Sequence, residues 1–270
     1  MARIHVQILE EALEPNAWMN EVTPPDDVGA IATFTGVCRG EGGRLSALEL
    51  EHYPGMAEAE ITRIAEAAEA FGASVLMTSD TCRNGTERCA EALGMLGSDV
   101  DMVVNLQGDA PLTPPWFLDA LIDGLGSDSQ AALATPVLRC DGEALAALKA
   151  DRAAGRVGGT TAVCDSERRA LYFSKEVIPY TPETYAPDEP TPVFHHVGVY
   201  AYRPWALHAY PDWPEGPLER LEGLEQLRFL EAGHKVRCVE VEARGRKFWE
   251  LNNPEDIPRI EAMLAEMGLP

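Results

Sequence analysis

The order of apolar and polar positions predicts short strands and amphipathic helices along the whole chain. Ile4, Val6 and Ile8 alternate with polar residues as in a half-buried strand, and β-type runs follow at residues 30–38 and 45–51. The next stretch, AEAEITRIAEAAEAFG, has apolar residues at helical spacing and ends in glycine. The first quarter is therefore predicted to be β-rich with one long helix.

Beyond this helix, strand and helix patterns alternate. The predicted strands cover residues 75–77, 101–106, 133–138, 160–164, 170–174, 197–202 and 236–242. The predicted helices cover residues 86–96, 116–126, 142–150 and 218–232. The Pro-rich segment at 180–193 is predicted to be a surface loop. This alternation favours an α/β fold with a mostly parallel sheet covered on both faces, which makes three layers.

Composition narrows the possible partners. The chain has 22 Lys and Arg against 44 Asp and Glu, and its net charge of −22 disfavours nucleic acid and anionic membranes. No apolar stretch is long enough to cross a bilayer, and the N-terminus lacks the apolar core of a signal peptide. The six cysteines form no CxxC pair, so we expect reduced thiols and a cytoplasmic protein.

The stretch VNLQGDAP at residues 104–111 places a carboxylate directly after an apolar strand. In open α/β sheets, ligands bind beyond the carboxyl ends of the strands, and Gly108 would let a ligand approach the backbone. Asp109 there would suit Mg²⁺, which takes one or two carboxylates and completes its shell with phosphate oxygens. Asp-Ala-Pro is also turn chemistry, so spacing alone leaves both interpretations open.

Three other stretches carry polar groups in patterns that fit a site. NGTER (84–88) marks a strand-to-helix turn, and FHHVGVYAYR (194–203) puts His196, Gly198 and Tyr200 on one face of a single strand. In the predicted helix 218–232, a core stripe is formed by Leu218, Leu221, Leu224 and Leu227, and the polar side carries Glu222, Glu225, Gln226 and Arg228. For each of these three stretches taken alone, a structural role is the better interpretation.

Together, six stretches in this order resemble the CMP-Kdo synthetase (3-deoxy-manno-octulosonate cytidylyltransferase) family over residues 69–270. They are VLMTSDTCRNGTERCAEAL, VNLQGDAPLTPP, ALYFSKEVIPY, FHHVGVYAYR, GPLERLEGLEQLRFLEAG and ELNNPEDIPRIE. The resemblance implies a Rossmann-like nucleotidyltransferase fold and a homodimer. It also implies transfer of CMP from CTP to an acidic eight-carbon sugar, with Mg²⁺, in lipopolysaccharide precursor synthesis.

The resemblance also implies roles for individual residues. Asp109 and Gln107 would be catalytic, and Mg²⁺ would be held by Asp109 and Asn252. The residues beside the nucleotide would be Gly85, Thr86, Arg88, Gln107 and Gly108, and those of the sugar-acid pocket His196, Tyr200, Glu225 and Gln226.

The chain departs from the family at several of these motifs. Asn252 stands where the family has a second metal-binding Asp, which removes one negative charge, and Ala110 and Lys175 replace a usual Glu and Arg. Cys82 and Asn84 replace a usual His and Ser.

Residues 1–68 instead resemble the first half of the catalytic (large) subunit of molybdopterin synthase. The resemblance rests on GAIATFTGVCRGEGG (29–43) and LSALELEHYPGMAEAEITRIAEAA (45–68), with Arg39 matching a pterin-site arginine. That family's later His-Arg segment and catalytic lysines have no counterpart here. We therefore predict a hybrid of two enzymes, joined at about residues 66–72, which lacks the cytidylyltransferases' opening phosphate-binding loop.

Three functions remain open from the sequence. The first is a cytidylyltransferase, slowed by the absent loop. The second is the molybdopterin synthase catalytic subunit, in molybdenum cofactor synthesis. The third is a non-catalytic protein that retains the sugar-acid pocket. Binding of CTP and of the sugar acid, titrated separately, would distinguish them.

Overall fold

A computed structural model describes residues 56–70, 72–73, 75–97, 100–108, 110, 112–246 and 256–267. The chain divides into two compact units, Met1–Ser98 and Asp99–Pro270. The β-rich segment predicted before residue 56 lies outside the described residues. Among the residues described, no helix is both long and apolar enough to cross a membrane.

The first unit contains two described helices, α1 (Met56–Ala70) and α2 (Gly85–Leu96). The side chain of Asn84 caps α2 by accepting a hydrogen bond from the Glu87 amide at 2.9 Å. Gly97 ends α2 in the left-handed conformation, which glycine adopts without strain. The junction between the two resemblances, predicted at residues 66–72, falls at the end of α1.

In the second unit strands and helices alternate at first, and later four strands follow one another without an intervening helix. Its described elements are β1 (Val103–Leu106), α3 (Pro115–Ser127), β2 (Ala131–Asp141), α4 (Gly142–Ala153), β3 (Thr160–Cys164), β4 (Ala170–Ser174), β5 (Pro190–His196), β6 (Val199–Tyr202), α5 (Pro204–Ala209), α6 (Pro217–Glu222), α7 (Leu227–Glu231), β7 (Lys235–Val241) and α8 (Asp256–Glu266). A short 3₁₀ turn, Tyr210–Asp212, follows α5. The prediction of an α/β fold is confirmed.

The prediction of a mostly parallel sheet is wrong for the described strands. They form one sheet in the order β1-β6-β2-β5-β3-β4, and β7 pairs with β2. Of these pairings only β2 with β7 is parallel, and the others are antiparallel. For β3 and β4 the reason is connection length, because a parallel crossover needs a dozen residues or more and only residues 165–169 join these two strands. β5 and β6, separated by residues 197–198, both pair antiparallel with β2 and therefore run in the same direction.

Helices cover both faces of this sheet. From α3, Phe117, Leu121 and Leu125 are fully buried against a core that includes Ala201 of β6. The next residue of β6, Tyr202, stacks on Phe229 of α7 with ring centroids 6.0 Å apart. Because successive strand residues point to opposite faces, α3 and α7 lie on opposite sides of the sheet.

The predicted helix 218–232 is instead two short helices, and the prediction of a buried leucine stripe along it is wrong. Gly223 takes a left-handed conformation with φ of 61° and ends α6, so the helical spacing is not continuous. Leu221 is 83% exposed, whereas Leu227 in α7 is fully buried. The predicted loop 180–193 is also too long, since β5 already begins at Pro190.

Candidate functional site

The end of β1 contacts the turn between α6 and α7. Gln107 follows β1 directly, and its side-chain amide Nε2 donates a hydrogen bond to Glu225 Oε1 at 3.0 Å. Gly108 is exposed in the turn after Gln107. The structure therefore brings a residue predicted to lie beside the nucleotide against one predicted to bind the sugar acid.

The two predicted metal ligands, Asp109 and Asn252, lie outside the described residues. Their proposed convergence on one ion therefore stays a prediction. Within the described part of the chain, no group of three His, Cys, Asp or Glu side chains is arranged to hold a metal.

His196 and Tyr200 lie close together, although the strand predicted to carry both is interrupted. They are on successive strands, because a short break at residues 197–198, in which the Val199 amide donates to the Val197 carbonyl at 2.8 Å, separates β5 from β6. Both strands pair with β2, which brings the two rings to a centroid distance of 5.7 Å. The predicted single strand is thus two strands, which run in the same direction along β2.

His196 is buried and held in one hydrogen-bonding state. Its Nε2 lies 2.9 Å from the hydroxyl of Thr135, and that hydroxyl is also within hydrogen-bond distance of the carbonyls of Val197 and Val199. Because both carbonyls can only accept, we assign the Thr135 proton to one of them and the Nε2–H of His196 as the donor to Thr135. Burial, together with the neighbouring His195, lowers the pKa of His196 to about 3. His196 is therefore neutral near pH 7, with Nδ1 as the acceptor, and it suits a sugar hydroxyl better than a carboxylate.

Tyr200 connects this histidine to the turn that carries Glu225. Its hydroxyl donates to Gln226 Oε1 at 3.2 Å. Gln226 is 2% exposed, and its Nε2 has no hydrogen-bond partner among the described residues. A buried amide donor without a partner costs free energy, so Gln226 has a donor to offer to a ligand oxygen.

Glu222, at the end of α6, fixes the end of β4. Its carboxylate accepts hydrogen bonds from the hydroxyl of Ser174 at 2.7 Å, the amide of Lys175 at 2.9 Å and the hydroxyl of Tyr172 at 3.3 Å. Burial and the nearby Glu222 charge raise the pKa of Tyr172, so this hydroxyl keeps its proton. The sequence placed Glu222 on a polar helix face but gave no sign of this partner strand.

In the first unit, the NGTER stretch forms the start of α2. Gly85 is the first residue of the helix, and Thr86 is fully buried. Arg88 is 7% exposed, and its guanidinium donates to Thr78 Oγ1 at 2.8 Å and to the Ser79 carbonyl at 3.1 Å. Arg88 therefore braces the loop before α2, and a nucleotide role for these residues stays a prediction.

Cys82, which replaces a usual histidine, is part of the same loop. Its thiol donates to Glu91 Oε2 at 2.8 Å. Burial and this carboxylate raise the pKa of Cys82 to about 12, so the thiol stays protonated and unreactive.

Two features of the site could not be found from the sequence. Thr135 sits in an apolar strand, where its single hydroxyl was the only signal of a polar partner. The contact between Gln107 and Glu225 joins residues 118 positions apart, and no periodicity predicts such a pair.

Comparison with known proteins supports the two resemblances. A family model described as cytidylyltransferase matches residues 59–236, and one described as MoaE protein matches residues 8–86. The 3-deoxy-manno-octulosonate cytidylyltransferase of Maricaulis maris is 42% identical over 206 residues, covering 76% of this chain and 78% of the relative. The mitochondrial enzyme of that name from Arabidopsis thaliana is 37% identical over 210 residues, covering 77% and 67%.

A solved structure is also similar to the chain. It is a CMP:2-keto-3-deoxy-manno-octonic acid synthetase complexed with CTP, with a TM-score of 0.61 and 30% identity. The similarity covers 76% of this chain and 78% of that one. The resemblances predicted from the sequence motifs are thus confirmed.

Proposed function

The chain belongs to the cytidylyltransferase family, and from this premise we propose that it transfers CMP from CTP to the anomeric hydroxyl of 3-deoxy-manno-octulosonate. The sugar oxygen attacks the α-phosphorus and forms the new P–O bond. The bond from the α-phosphorus to the bridging oxygen breaks, pyrophosphate leaves with that oxygen, and the hydroxyl proton passes to solvent. The observation that carries this proposal is the Gln107–Glu225 hydrogen bond, which joins the end of β1 to the turn beside Tyr200 and Gln226.

The sugar acid is proposed to bind along Glu225, Gln226, Tyr200 and His196. Neutral His196 accepts a hydroxyl at Nδ1, and the buried Gln226 Nε2 donates to a sugar oxygen. The Glu225 carboxylate has lone pairs for a further hydroxyl besides the bond from Gln107. These groups would fix the orientation of the anomeric hydroxyl, which is the main source of rate in a displacement of this kind.

The nucleotide is proposed to contact Gln107 and Gly108, with Gly85, Thr86 and Arg88 on the nucleotide side. Mg²⁺, proposed to be held by Asp109 and Asn252, would neutralise phosphate charge and favour the attack. We further propose a homodimer, as the resemblance implies.

Separate calorimetric titrations of CTP and of 3-deoxy-manno-octulosonate, with Mg²⁺ present, test the proposal. Both are expected to bind, and pyrophosphate should be released when both are present. Glu225→Gln should weaken sugar-acid binding about tenfold, because a charge-assisted hydrogen bond is lost. The matched control is Glu240→Gln, since Glu240 on β7 pairs with Arg139 outside the proposed site. Failure of CTP to bind would contradict the transferase, and sugar-acid binding alone would favour a non-catalytic binding protein.

A second function is supported by the match of residues 8–86 to the MoaE protein model. It would be that of the molybdopterin synthase catalytic subunit, although the catalytic lysines of that family have no counterpart in the sequence. Sulfur transfer to a pterin precursor, measured with a small-subunit partner, tests this alternative. If the protein transfers sulfur but not CMP, molybdopterin synthase becomes the preferred function and cytidylyltransferase the alternative.

A further inference from the structure

The turn that carries Glu225 and Gln226 lies between two short helices tied to each other at two points. Glu231 of α7 accepts hydrogen bonds from the backbone amides of Leu218 and Glu219 at the start of α6, both at 2.9 Å. The Glu231 carboxylate packs closely on Gly216, and a Cβ there would force this carboxylate to shift. This contact caps the amino end of α6 with a side chain of α7.

The second tie is an ion pair buried behind the turn. Arg228 donates from Nε to Glu219 Oε2 at 2.7 Å and from Nη2 to Glu219 Oε1 at 2.6 Å. The two side chains are only 1% and 6% exposed. Such a bidentate pair fixes both the distance between the helices and the rotation of α7.

Arg228 also reaches the backbone of Glu225 by two routes. Its own amide donates to the Glu225 carbonyl at 3.3 Å. Its guanidinium lies 4.2 Å from the centre of the Tyr210 ring, and the Tyr210 hydroxyl donates to the same carbonyl at 3.2 Å. The position of Glu225 is therefore determined from behind by Arg228 and Tyr210, and from the front by Gln107.

A buried ion pair is a poor source of stability. Removing two charges from water costs about as much as their attraction returns, and apolar residues of similar volume often serve equally well. The pair does, however, impose a single geometry on the turn, which an apolar contact would leave less defined. This makes orientation, rather than stability, the property to test.

We propose that Arg228 and Glu219 are positioning residues for the sugar-acid site, which hold the turn 223–226 so that Glu225 and Gln226 face the sugar. The inference rests on the proposed function, because it concerns the same site. It adds that two residues without contact to the substrate set the affinity for the sugar acid.

The decisive variant is the double substitution Glu219→Leu/Arg228→Met, which removes both charges and keeps an apolar contact. Its melting temperature should stay near that of the natural sequence. The dissociation constant for 3-deoxy-manno-octulosonate should rise about tenfold, as expected for the loss of a charge-assisted hydrogen bond, and hydrogen exchange should speed up at residues 223–226. The single variant Arg228→Lys, which keeps the charge, should bind 3-deoxy-manno-octulosonate more tightly than the double variant and more weakly than the natural sequence.

The control is Asp128→Leu/Arg169→Met, which removes another bidentate pair, with distances of 3.0 and 3.2 Å, outside the proposed site. It should leave sugar-acid affinity and exchange at 223–226 unchanged. Unchanged exchange at 223–226 in the first double variant overturns the inference, whether or not the sugar binds. Unchanged affinity there also overturns it, as does an equal loss of affinity in the control. If the natural sequence does not bind the sugar acid, the proposed function fails, and the positioning role for that substrate fails with it even if exchange at 223–226 increases.

Discussion

Thr135→Val tests whether one buried hydroxyl sets the state of His196. Threonine and valine have nearly the same shape, so the substitution removes a hydrogen-bonding group and leaves the packing of the fully buried side chain intact. Within the described residues, the hydroxyl lies within 3.1 Å of His196 Nε2 and of the Val197 and Val199 carbonyls. Its loss leaves the His196 donor in the interior without this partner.

The expected cost follows from these contacts. One neutral hydrogen bond to a carbonyl contributes about 1 kcal/mol, and leaving the buried His196 N–H unsatisfied costs about 1–3 kcal/mol more. The free energy of unfolding should therefore fall by about 2–4 kcal/mol, which corresponds to roughly 4–16 °C in melting temperature for a unit of this size. Thr135→Ser keeps the hydroxyl and loses only a methyl group, so it should cost about 1 kcal/mol.

Urea unfolding followed by tryptophan fluorescence measures this effect. Four of the five tryptophans, at positions 116, 205, 213 and 249, belong to the second unit, so the signal reports mainly on that unit. Sugar-acid affinity should fall as well in the valine variant, because the His196 ring is no longer held. A valine variant within about 0.5 kcal/mol of the natural sequence, or no more affected than the serine variant, would refute the reasoning.

Three further predictions follow from the same structure. His196 has a pKa of about 3 when folded, against 6.5 ordinarily, so stability is complete above pH 6.5 and declines as pH falls towards 3. At pH 5 this histidine should account for about 2 kcal/mol of lost unfolding free energy, and an unchanged pH slope in His196→Asn would contradict it. Glu222→Ala should cost about 2 kcal/mol or more in urea unfolding because two donors from β4 and the Lys175 amide after it lose their acceptor, and a cost below about 0.5 kcal/mol would exclude this role. Exchange of residues 1–68 for a cytidylyltransferase N-terminus should raise the rate of pyrophosphate release about a hundredfold or more, because phosphate-binding donors are restored. Equal turnover by both proteins would contradict the prediction that the chain lacks a phosphate-binding loop.

Local patterns predicted the helices and strands that begin and end within one stretch of chain. Pro115 opens α3, and Phe117, Leu121 and Leu125, spaced by four, form its buried face. The motif at residues 104–111 likewise placed Gln107 and Gly108 directly after a strand. Such features depend on periodicity and turn chemistry, which neighbouring residues decide among themselves.

The tertiary structure decided what depends on partners distant in sequence. The opposite directions of β3 and β4 followed from their short connection and not from the alternation of strands with helices. His196 and Tyr200 meet because β5 and β6 both pair with β2, and Glu225 meets Gln107 because a break at Gly223 turns the chain between α6 and α7. A sequence by itself determines which side chains could perform the chemistry. Only the pairing of strands and the burial of charges determine which of them meet, since those free energies depend on the surrounding structure.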